Sequence, residues 1–267
     1  MQSSIVALKR DIVEVGRRIY TRGYVASNDG NISVRVDEKR VLITPTGVSK
    51  GFMKPEDLIL VDFNGKVLAG NKKPSSEVFM HLRMYQERAD VNSVCHAHPV
   101  HATGFAVAGL PLDQCVLPEV VVALGSIPLI AYGTPGTAEF FEPVLPHVKN
   151  HDAFLLANHG ALTIGKDVFN AYHKMETLEH FAHIAFVAMQ VGSIQVLTTQ
   201  QVEKLYDLRK RFGITTASDC ATCETSGSCS IPNAETAAAP AQAGQALSPD
   251  KEAMIEQVTR AVLKQLQ

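Results

Sequence analysis

Two histidines separated by one residue, His96 and His98, carry the clearest chemical signal in this 267-residue chain. They close the segment NSVCHAH, which is typical of a buried strand, and residues i and i+2 of a strand project to the same face. A third imidazole could come from His159 in an Asn-His-Gly turn, and a carboxylate from Glu77 near a helix start. Three histidines with one carboxylate suit zinc or a similar first-row ion.

An H-x-H pair in a strand can also be incidental, so the spacing by itself leaves the metal site as one of two interpretations. His101 follows on a predicted helix start. We interpret it as a surface or supporting residue rather than as a further ligand.

Three short segments rich in Gly, Ser, Thr and Asn could bind an anion: residues 29–31, 44–47 and 74–77. Hydroxyls and free backbone amides at a helix N-terminus bind anions without formal positive charge. The alternative is that they are only turns and a helix cap. Ser76 is the predicted cap of a helix over 76–88, and Ser75 and Ser76 directly precede Glu77, so one turn could supply both an anion cradle and a metal ligand.

Periodic segments that would position these groups follow one another up to about residue 217. Apolar residues at helical spacing predict a helix near the start of the chain, and further helices are predicted over 167–192 and 198–210. The segments NISVRV, VLIT and NSVCHAH predict strands. LILVDFNGKVLAG predicts a hairpin around Asn64-Gly65, and DAFLLANHGALTIG predicts two short strands around His159.

Composition limits the function classes. Hydrophobic residues make up 46% and charged residues 19% of the chain, as in globular domains, and the net charge of −2 gives no basis for a nucleic-acid or anionic-membrane partner. No run approaches 18 uninterrupted apolar residues, so no membrane span is predicted. The first twenty residues read as an amphipathic helix rather than a secretory signal, so we expect a cytoplasmic, reducing compartment.

The five cysteines fall into two groups. Cys95 and Cys115 lie in apolar segments and are predicted to be free core thiols. Cys220, Cys223 and Cys229 form a C-x2-C-x5-C pattern in a polar segment that we expect to be mobile. A structural zinc site needs four ligands, and no histidine lies nearby. Two interpretations stand: a functionally minor, disordered segment, or a shared metal or redox role.

Beyond residue 217 the composition changes. Residues 218–247 are predicted to be a flexible linker, first Cys-rich and then Ala-rich, with seven alanines among residues 234–246. Residues 248–267 predict an amphipathic helix capped by Ser248, whose apolar stripe needs a partner. The stripe could also pack back onto the same protein.

Several segments together resemble the class II aldolase and adducin head family: GNISVR, LITPTGVS, KPSSE, VCHAHPVHATGFA, IPLIAYGTPGT and LLANHGALTIG, spread over residues 3–213. The resemblance implies an α/β fold, a three-layer α/β/α sandwich with a mainly antiparallel central sheet, with residues 1–217 as its catalytic domain. It also implies a homotetramer with active sites between subunits. The positions that match the family's zinc ligands are Glu77, His96, His98 and His159. Those that match its phosphate contacts are Asn31, Thr46, Gly47, Ser75 and Ser76.

The resemblance implies one Zn2+ per subunit, or another divalent ion. It also implies retro-aldol cleavage of a ketose 1-phosphate, L-fuculose 1-phosphate or L-rhamnulose 1-phosphate, to dihydroxyacetone phosphate and L-lactaldehyde. Glu77 would alternate between ligating the metal and moving the proton at C3. Other members of the family are a pentulose-phosphate epimerase, a dehydratase, decarboxylases and non-catalytic adducin-like binding modules, so an epimerase, a dehydratase or a binding module are the alternatives.

This sequence departs from the bacterial aldolase pattern where that pattern has two tyrosines. The region shortly before and including the Ser-Ile-Pro segment reads QCVLPEVVVALGSIP and has no tyrosine. Glu119 is its one carboxylate and a possible catalytic group, and Phe212 stands in place of the second tyrosine. The departure concerns the aldehyde half of the substrate more than the reaction class.

The tethered helix over 248–267 resembles the encapsulation peptides that load enzymes into bacterial microcompartments. A reaction that releases a volatile, toxic aldehyde fits a compartment that processes fucose or rhamnose. We therefore expect shell or cargo proteins as partners of this helix, and a location inside a bacterial microcompartment.

Overall fold

A computed structural model describes residues 4–214 and 218–231. Eight of its strands form one sheet, in the order β4-β3-β2-β1-β5-β8-β7-β6. All neighbours in this sheet pair antiparallel except β6 and β7. The strands are β1 (Asn31–Arg35), β2 (Arg40–Ile43), β3 (Ile59–Asp62), β4 (Val67–Ala69), β5 (Ser93–Ala97), β6 (Leu129–Ile130), β7 (Ala153–Leu156) and β8 (Gly160–Gly165). The predicted, mainly antiparallel sheet is confirmed.

The three longest of the described helices, α1, α7 and α8, begin at polar capping residues. Ser4, Asp167 and Thr198 each accept a hydrogen bond from a backbone amide in the first turn of a helix. No helix in the described ranges is both long and apolar enough to cross a membrane. The α-helices are α1 (Ile5–Thr21), α2 (Val78–Glu87), α3 (Val100–Ala108), α4 (Pro118–Ala123), α5 (Ala138–Phe141), α6 (Leu145–Val148), α7 (Val168–Val191) and α8 (Thr199–Arg211).

Side chains of the central strands alternate between two apolar clusters, which makes the domain a three-layer α/β/α sandwich. In β2, Leu42 packs into the cluster that contains residues of α1, α3 and α7, whereas Val41 and Ile43 pack into the cluster that contains residues of α2 and α5. Because successive strand residues point to opposite faces, one sheet can bury apolar side chains on both sides. Each such fully buried side chain stabilises the fold by about 1.5–3 kcal/mol.

The start of α2 differs from the prediction. Glu77, not Ser76, is the residue that precedes the helix, and it makes no side-chain capping bond. The hydroxyl of Ser75 accepts a hydrogen bond from the backbone amide of Glu77 at 3.2 Å instead. Glu77 does not cap the helix because its carboxylate lies in a cluster of histidines.

The cysteines also differ from the prediction. Cys95 is a free, buried thiol as expected, but the predicted free thiol of Cys115 is wrong, because Cys115 is disulfide-bonded to Cys220. Cys223 is bonded to Cys229. Spacing along the sequence could not reveal the first pair, whose members are 105 residues apart.

Residues 218–231, which were expected to begin a flexible linker, pack onto the domain. Strand β10 (Ser230–Ile231) pairs antiparallel with β9 (Ile194–Gln195), and the amide of Cys115 donates to the carbonyl of Ala221 at 2.8 Å. The polar composition of this segment predicted a flexible linker. It did not reveal these backbone hydrogen bonds, because they depend little on side-chain polarity. The rest of the predicted linker and the predicted helix over 248–267 lie outside the described residues.

Candidate metal centre

Four side chains from distant parts of the chain converge at one point. Nε2 of His96 lies 3.1 Å from Nε2 of His98 and 3.1 Å from Nε2 of His159. The Glu77 carboxylate contacts two of these rings, with Oε2 3.3 Å from Nε2 of His96 and Oε1 3.1 Å from Nε2 of His159. The structure therefore brings together all four residues that the sequence predicted as metal ligands, and the three histidines alone have the geometry of a metal-binding group.

The sheet positions these ligands. His96 is the penultimate residue of β5, and His98 follows directly after the strand, so both rings reach the same side. His159 lies in the turn from β7 to β8, where Asn158 adopts a left-handed conformation with φ 56°. A Cβ on Gly160 would lie 2.6 Å from Cδ2 of His98 and 2.7 Å from the carbonyl oxygen of Ala97, so only glycine fits beside the cluster.

The two ring nitrogens of His96 have different roles: Nδ1 donates a hydrogen bond, and Nε2 is free to bind a metal. Nδ1 of His96 lies 2.8 Å from the carbonyl oxygen of Ala161 and must donate a hydrogen bond to it. In the neutral ring, Nε2 is therefore unprotonated and carries a free lone pair. Burial lowers the pKa of His96 to about 3, so the ring is neutral. Its Nε2 lone pair faces the Glu77 carboxylate, and two acceptors at this distance call for a cation between them.

Glu77 is the anionic member of the cluster. Burial by itself would raise the pKa of Glu77, but the polar groups around it, the Asn31 amide among them, lower it. The Asn31 side-chain amide donates to Oε2 of Glu77 at 2.6 Å. A carboxylate beside three imidazoles is the donor set of a zinc-like ion, so the residues present fit a divalent metal.

A buried chain of hydrogen bonds runs from the Glu77 carboxylate through Asn31 to His81. Because the Asn31 amide nitrogen faces a carboxylate, its oxygen faces His81, and His81 must donate from Nε2. Nδ1 of His81 therefore accepts from the Ser33 hydroxyl at 2.7 Å, and Ser33 in turn accepts from the Tyr85 hydroxyl at 2.6 Å. His81 was not predicted from the sequence, although it follows Glu77 by four residues and so lies one helical turn further along α2.

Two of the three predicted anion-binding segments, residues 44–47 and 74–77, lie side by side. Pro45 and Pro74 form an antiparallel bridge, the amide of Thr46 donates to the carbonyl of Lys73 at 3.1 Å, and the amide of Ser75 donates to the carbonyl of Thr44 at 3.1 Å. Of the predicted phosphate contacts, Thr46, Gly47 and Ser76 are exposed, whereas Ser75 and Asn31 are buried. Asn31 uses its amide nitrogen on Glu77, so its role towards phosphate stays a prediction.

Lys50 is a second group that the sequence analysis missed. Its ammonium is buried and donates to the carbonyl oxygens of Asn28 and Val48, each at 2.9 Å. Burial lowers the pKa of Lys50 to about 8, while Asp29 and Glu77 act in the opposite direction. The position of Lys50 after the Thr-Pro-Thr-Gly turn was the available signal.

A cavity of about 170 Å³ adjoins Glu77 on the side of the Gly-Thr-Pro-Gly-Thr loop. Its lining includes Ser76, Gly136, Thr137 and Phe140. The Phe140 ring packs edge-on against His159, with ring centroids 4.8 Å apart. This loop was recognised in the sequence by its resemblance, but its contact with the site was not predicted.

Three residues lie apart from the cluster. In the described part of the chain, no hydrogen bond or ion pair links Glu119, which is exposed in the first turn of α4, to the histidines. Phe212 is 70% exposed at the end of α8. His101 pairs with Glu179 at 2.8 Å and stacks on His183, in agreement with a supporting role and not that of a ligand.

Comparisons with known proteins agree with this geometry. The chain is 37% identical to an L-fuculose phosphate aldolase of Methanococcus maripaludis. The match extends over 177 residues, which are 66% of this chain and 95% of that protein. It is 35% identical over 204 residues to a 3-oxo-tetronate 4-phosphate decarboxylase of Haemophilus influenzae, with coverage of 75% and 96%. A solved L-fuculose 1-phosphate aldolase superposes with a TM-score of 0.72 at 31% identity, covering 79% of this chain and 98% of that one. Residues 10–186 match the family described as the Class II Aldolase and Adducin N-terminal domain. The chain therefore belongs to the class II aldolase and adducin family.

Proposed function

We propose that the protein is a zinc-dependent lyase that splits L-fuculose 1-phosphate or L-rhamnulose 1-phosphate into dihydroxyacetone phosphate and L-lactaldehyde. The observation that carries the proposal is the Glu77 carboxylate, which contacts His96 and His159 beside two loops suited to an anion. Relatives named for the cleavage of L-fuculose phosphate support this substrate class.

In this proposal, different residues of the chain bind the phosphate and transfer the proton to C3. The hydroxyls of Thr46, Ser75 and Ser76 and the backbone amide of Gly47 bind the phosphate. A divalent ion, when bound, supplies Lewis-acid stabilisation for the negative charge that develops on the substrate oxygens. As the C3–C4 bond breaks, the C4 hydroxyl loses its proton to solvent. Glu77 takes up a proton from solvent and delivers it to C3, so no net proton is released.

A second reaction, decarboxylation of a 3-oxo-tetronate 4-phosphate, is supported by the relative named for it and by the residues around α4. Loss of CO2 from that substrate leaves the same dihydroxyacetone phosphate enediolate, which Glu77 would protonate in the same way. The departing CO2 needs no proton acceptor, whereas an aldehyde does. No tyrosine stands in residues 114–128, and Glu119 is exposed, so this segment offers no tyrosine as proton acceptor, which is compatible with loss of CO2.

Product analysis tests the proposal and separates the candidates. The full chain is loaded with zinc and incubated with L-fuculose 1-phosphate, L-rhamnulose 1-phosphate or 3-oxo-tetronate 4-phosphate, and products are identified by carbon NMR. We expect dihydroxyacetone phosphate with L-lactaldehyde from a ketose phosphate. Dihydroxyacetone phosphate formed only with CO2 would establish the decarboxylase instead.

A product that keeps the whole carbon skeleton would indicate an epimerase or a dehydratase. Failure of every sugar phosphate to react or bind, together with full structural stability after metal removal, would leave the adducin-like binding module. Replacing His96 with alanine is expected to remove activity and metal together, because His96 contacts every other member of the cluster.

We also propose that the protein is a homotetramer. We propose further that residues 248–267 target it to a bacterial microcompartment. The apolar stripe of that sequence and the volatile aldehyde product support this targeting role. Light scattering tests the tetramer. For the targeting role, residues 248–267 are fused to a fluorescent protein and co-expressed with shell proteins: foci are expected, and diffuse fluorescence would contradict the assignment.

A further inference from the structure

The fold gathers four of the five cysteines at one place. Cys220, Cys223 and Cys229 lie within ten residues of one another, and Cys115 joins them from the loop that precedes α4. The Cα atoms of Cys115 and Cys220 are 5.2 Å apart, and those of Cys223 and Cys229 are 4.2 Å apart. The chain thus supplies the fourth sulfur that the C-x2-C-x5-C segment lacks.

The two cysteine pairs are neighbours, because one short segment holds both. The amide of Leu197 donates to the carbonyl of Cys115 at 2.8 Å, and its carbonyl accepts from the amide of Cys223 at 2.9 Å. The preceding amide, of Val196, donates to the carbonyl of Cys229 at 3.0 Å. The backbones of Cys115, Cys223 and Cys229 are therefore all held on this segment, and Cys220 is bonded to Cys115.

We propose that, in the reduced protein, these four cysteines bind a single zinc ion as a structural four-thiolate site. Zinc holds four thiolates at about 2.3 Å in a closed tetrahedron, and a C-x2-C pair is the usual spacing for two of its ligands. Four thiols release four protons on binding Zn2+, and no electron is transferred. The disulfide form has lost four electrons and four protons relative to these thiols.

The composition of the segment is a further argument for an ion. Among residues 218–231, Ile231 is the one large apolar residue, and the rest are small, polar or cysteine. Apolar burial alone cannot hold such a segment against its chain entropy. Yet Cys115, Cys220 and Cys223 are all buried. A bound ion would hold the segment on the domain wherever thiols are kept reduced, and disulfides are rare in such compartments.

This second ion would have a structural role, distinct from that of the histidine cluster. It would fasten residues 218–231 to the loop before α4 and to β9, and so fix the point from which the chain continues beyond residue 231. The site is closed, with four protein ligands, and leaves no coordination position for a substrate.

The test separates this ion from the one at the histidines. The full chain is purified anaerobically with a thiol reductant and without chelator, as the wild type and as the His96→Ala/His98→Ala variant. Zinc is measured per subunit. We expect the histidine variant to retain one zinc ion, and we expect this ion to be lost when Cys220→Ser and Cys223→Ser are added. Ser228→Ala, in the same segment, is the matched control and should retain the ion.

Cobalt provides a spectroscopic readout that does not depend on activity or on the stability of the cysteine variant. Co2+ bound to the histidine variant should show intense thiolate-to-metal charge-transfer absorption, and its four thiols should resist alkylation until the ion is removed. Four freely reactive thiols with no zinc would overturn the proposal. So would two disulfides that persist under reductant, or iron with acid-labile sulfide in place of zinc.

Discussion

The side-chain amide of Asn31 donates to Oε2 of Glu77 at 2.6 Å, and its carbonyl oxygen faces Nε2 of His81. His81 thereby fixes which way the Asn31 amide points, and Asn31 fixes the Glu77 carboxylate, which we propose both ligates a metal and moves a proton. Replacing His81 with alanine should lower kcat by about 10–100-fold, the usual effect of removing a supporting partner of a metal ligand, while KM changes little. Steady-state kinetics at saturating metal measures this.

Rescue by a conservative change identifies the role as positioning. His81→Gln keeps an N–H that can reach the Asn31 oxygen and should recover part of kcat, whereas His81→Leu should not. Equal losses in both variants, or a loss confined to stability, would contradict a positioning role.

Lys50 should give the protein an unusual response to alkaline pH. Its pKa falls from 10.5 to about 8 on folding, so between these values the unfolded chain binds a proton that the folded chain does not. Stability of the wild type relative to Lys50→Met should therefore rise with pH through this window, by about 3 kcal/mol in total. Urea denaturation of both proteins from pH 7.5 to 10.5 measures the difference.

The Lys39→Met variant is the control, because it removes an exposed lysine instead of a buried one. A constant difference between the wild type and Lys50→Met across the window would show that Lys50 keeps an ordinary pKa when folded.

Gly160→Ala should damage the metal site without removing a ligand. The new Cβ would press on His98 and on the Ala97 carbonyl, and both are at the end of a central strand that cannot move freely. We expect at least a tenfold weaker metal affinity, measured by competition with a chelator. Gly104→Ala in α3 meets nothing within 4 Å and should instead stabilise the protein by about 0.5–1 kcal/mol.

Arg88 should be the most costly charge to remove outside the site. It is buried, donates to Asp152 at 2.7 Å and to Asp90 at 2.6 Å, and also reaches the carbonyl of Val148. Arg88→Met should cost about 3 kcal/mol of unfolding free energy, the lower end for a broken buried pair, because Lys174 still contacts Asp152. Thermal denaturation checks this, and Arg17→Met, which removes an exposed pair with Glu14, should leave the unfolding temperature almost unchanged.

The sequence predicted the groups whose positions follow from local periodicity. His96 and His98 lie on one side because strand geometry requires it, and the long helix α7 begins and ends close to its predicted bounds. The contacts that escaped prediction join residues far apart in the chain. Asn31 and Glu77 are 46 residues apart, and Cys115 and Cys220 are 105 residues apart. Residue type alone could not show that Asn31 would donate to a ligand.

The histidine cluster joins the start of α2, the end of β5 and the turn between β7 and β8, so its ligands meet only when the centre of the sheet is complete. A partly unfolded chain has no such site, and an ion that binds it favours the native state by mass action. At a free metal concentration one hundred times the Kd, this linkage adds about 2.7 kcal/mol to the unfolding free energy. Metal supply in the cell would then set the lifetime of the folded enzyme as well as its turnover.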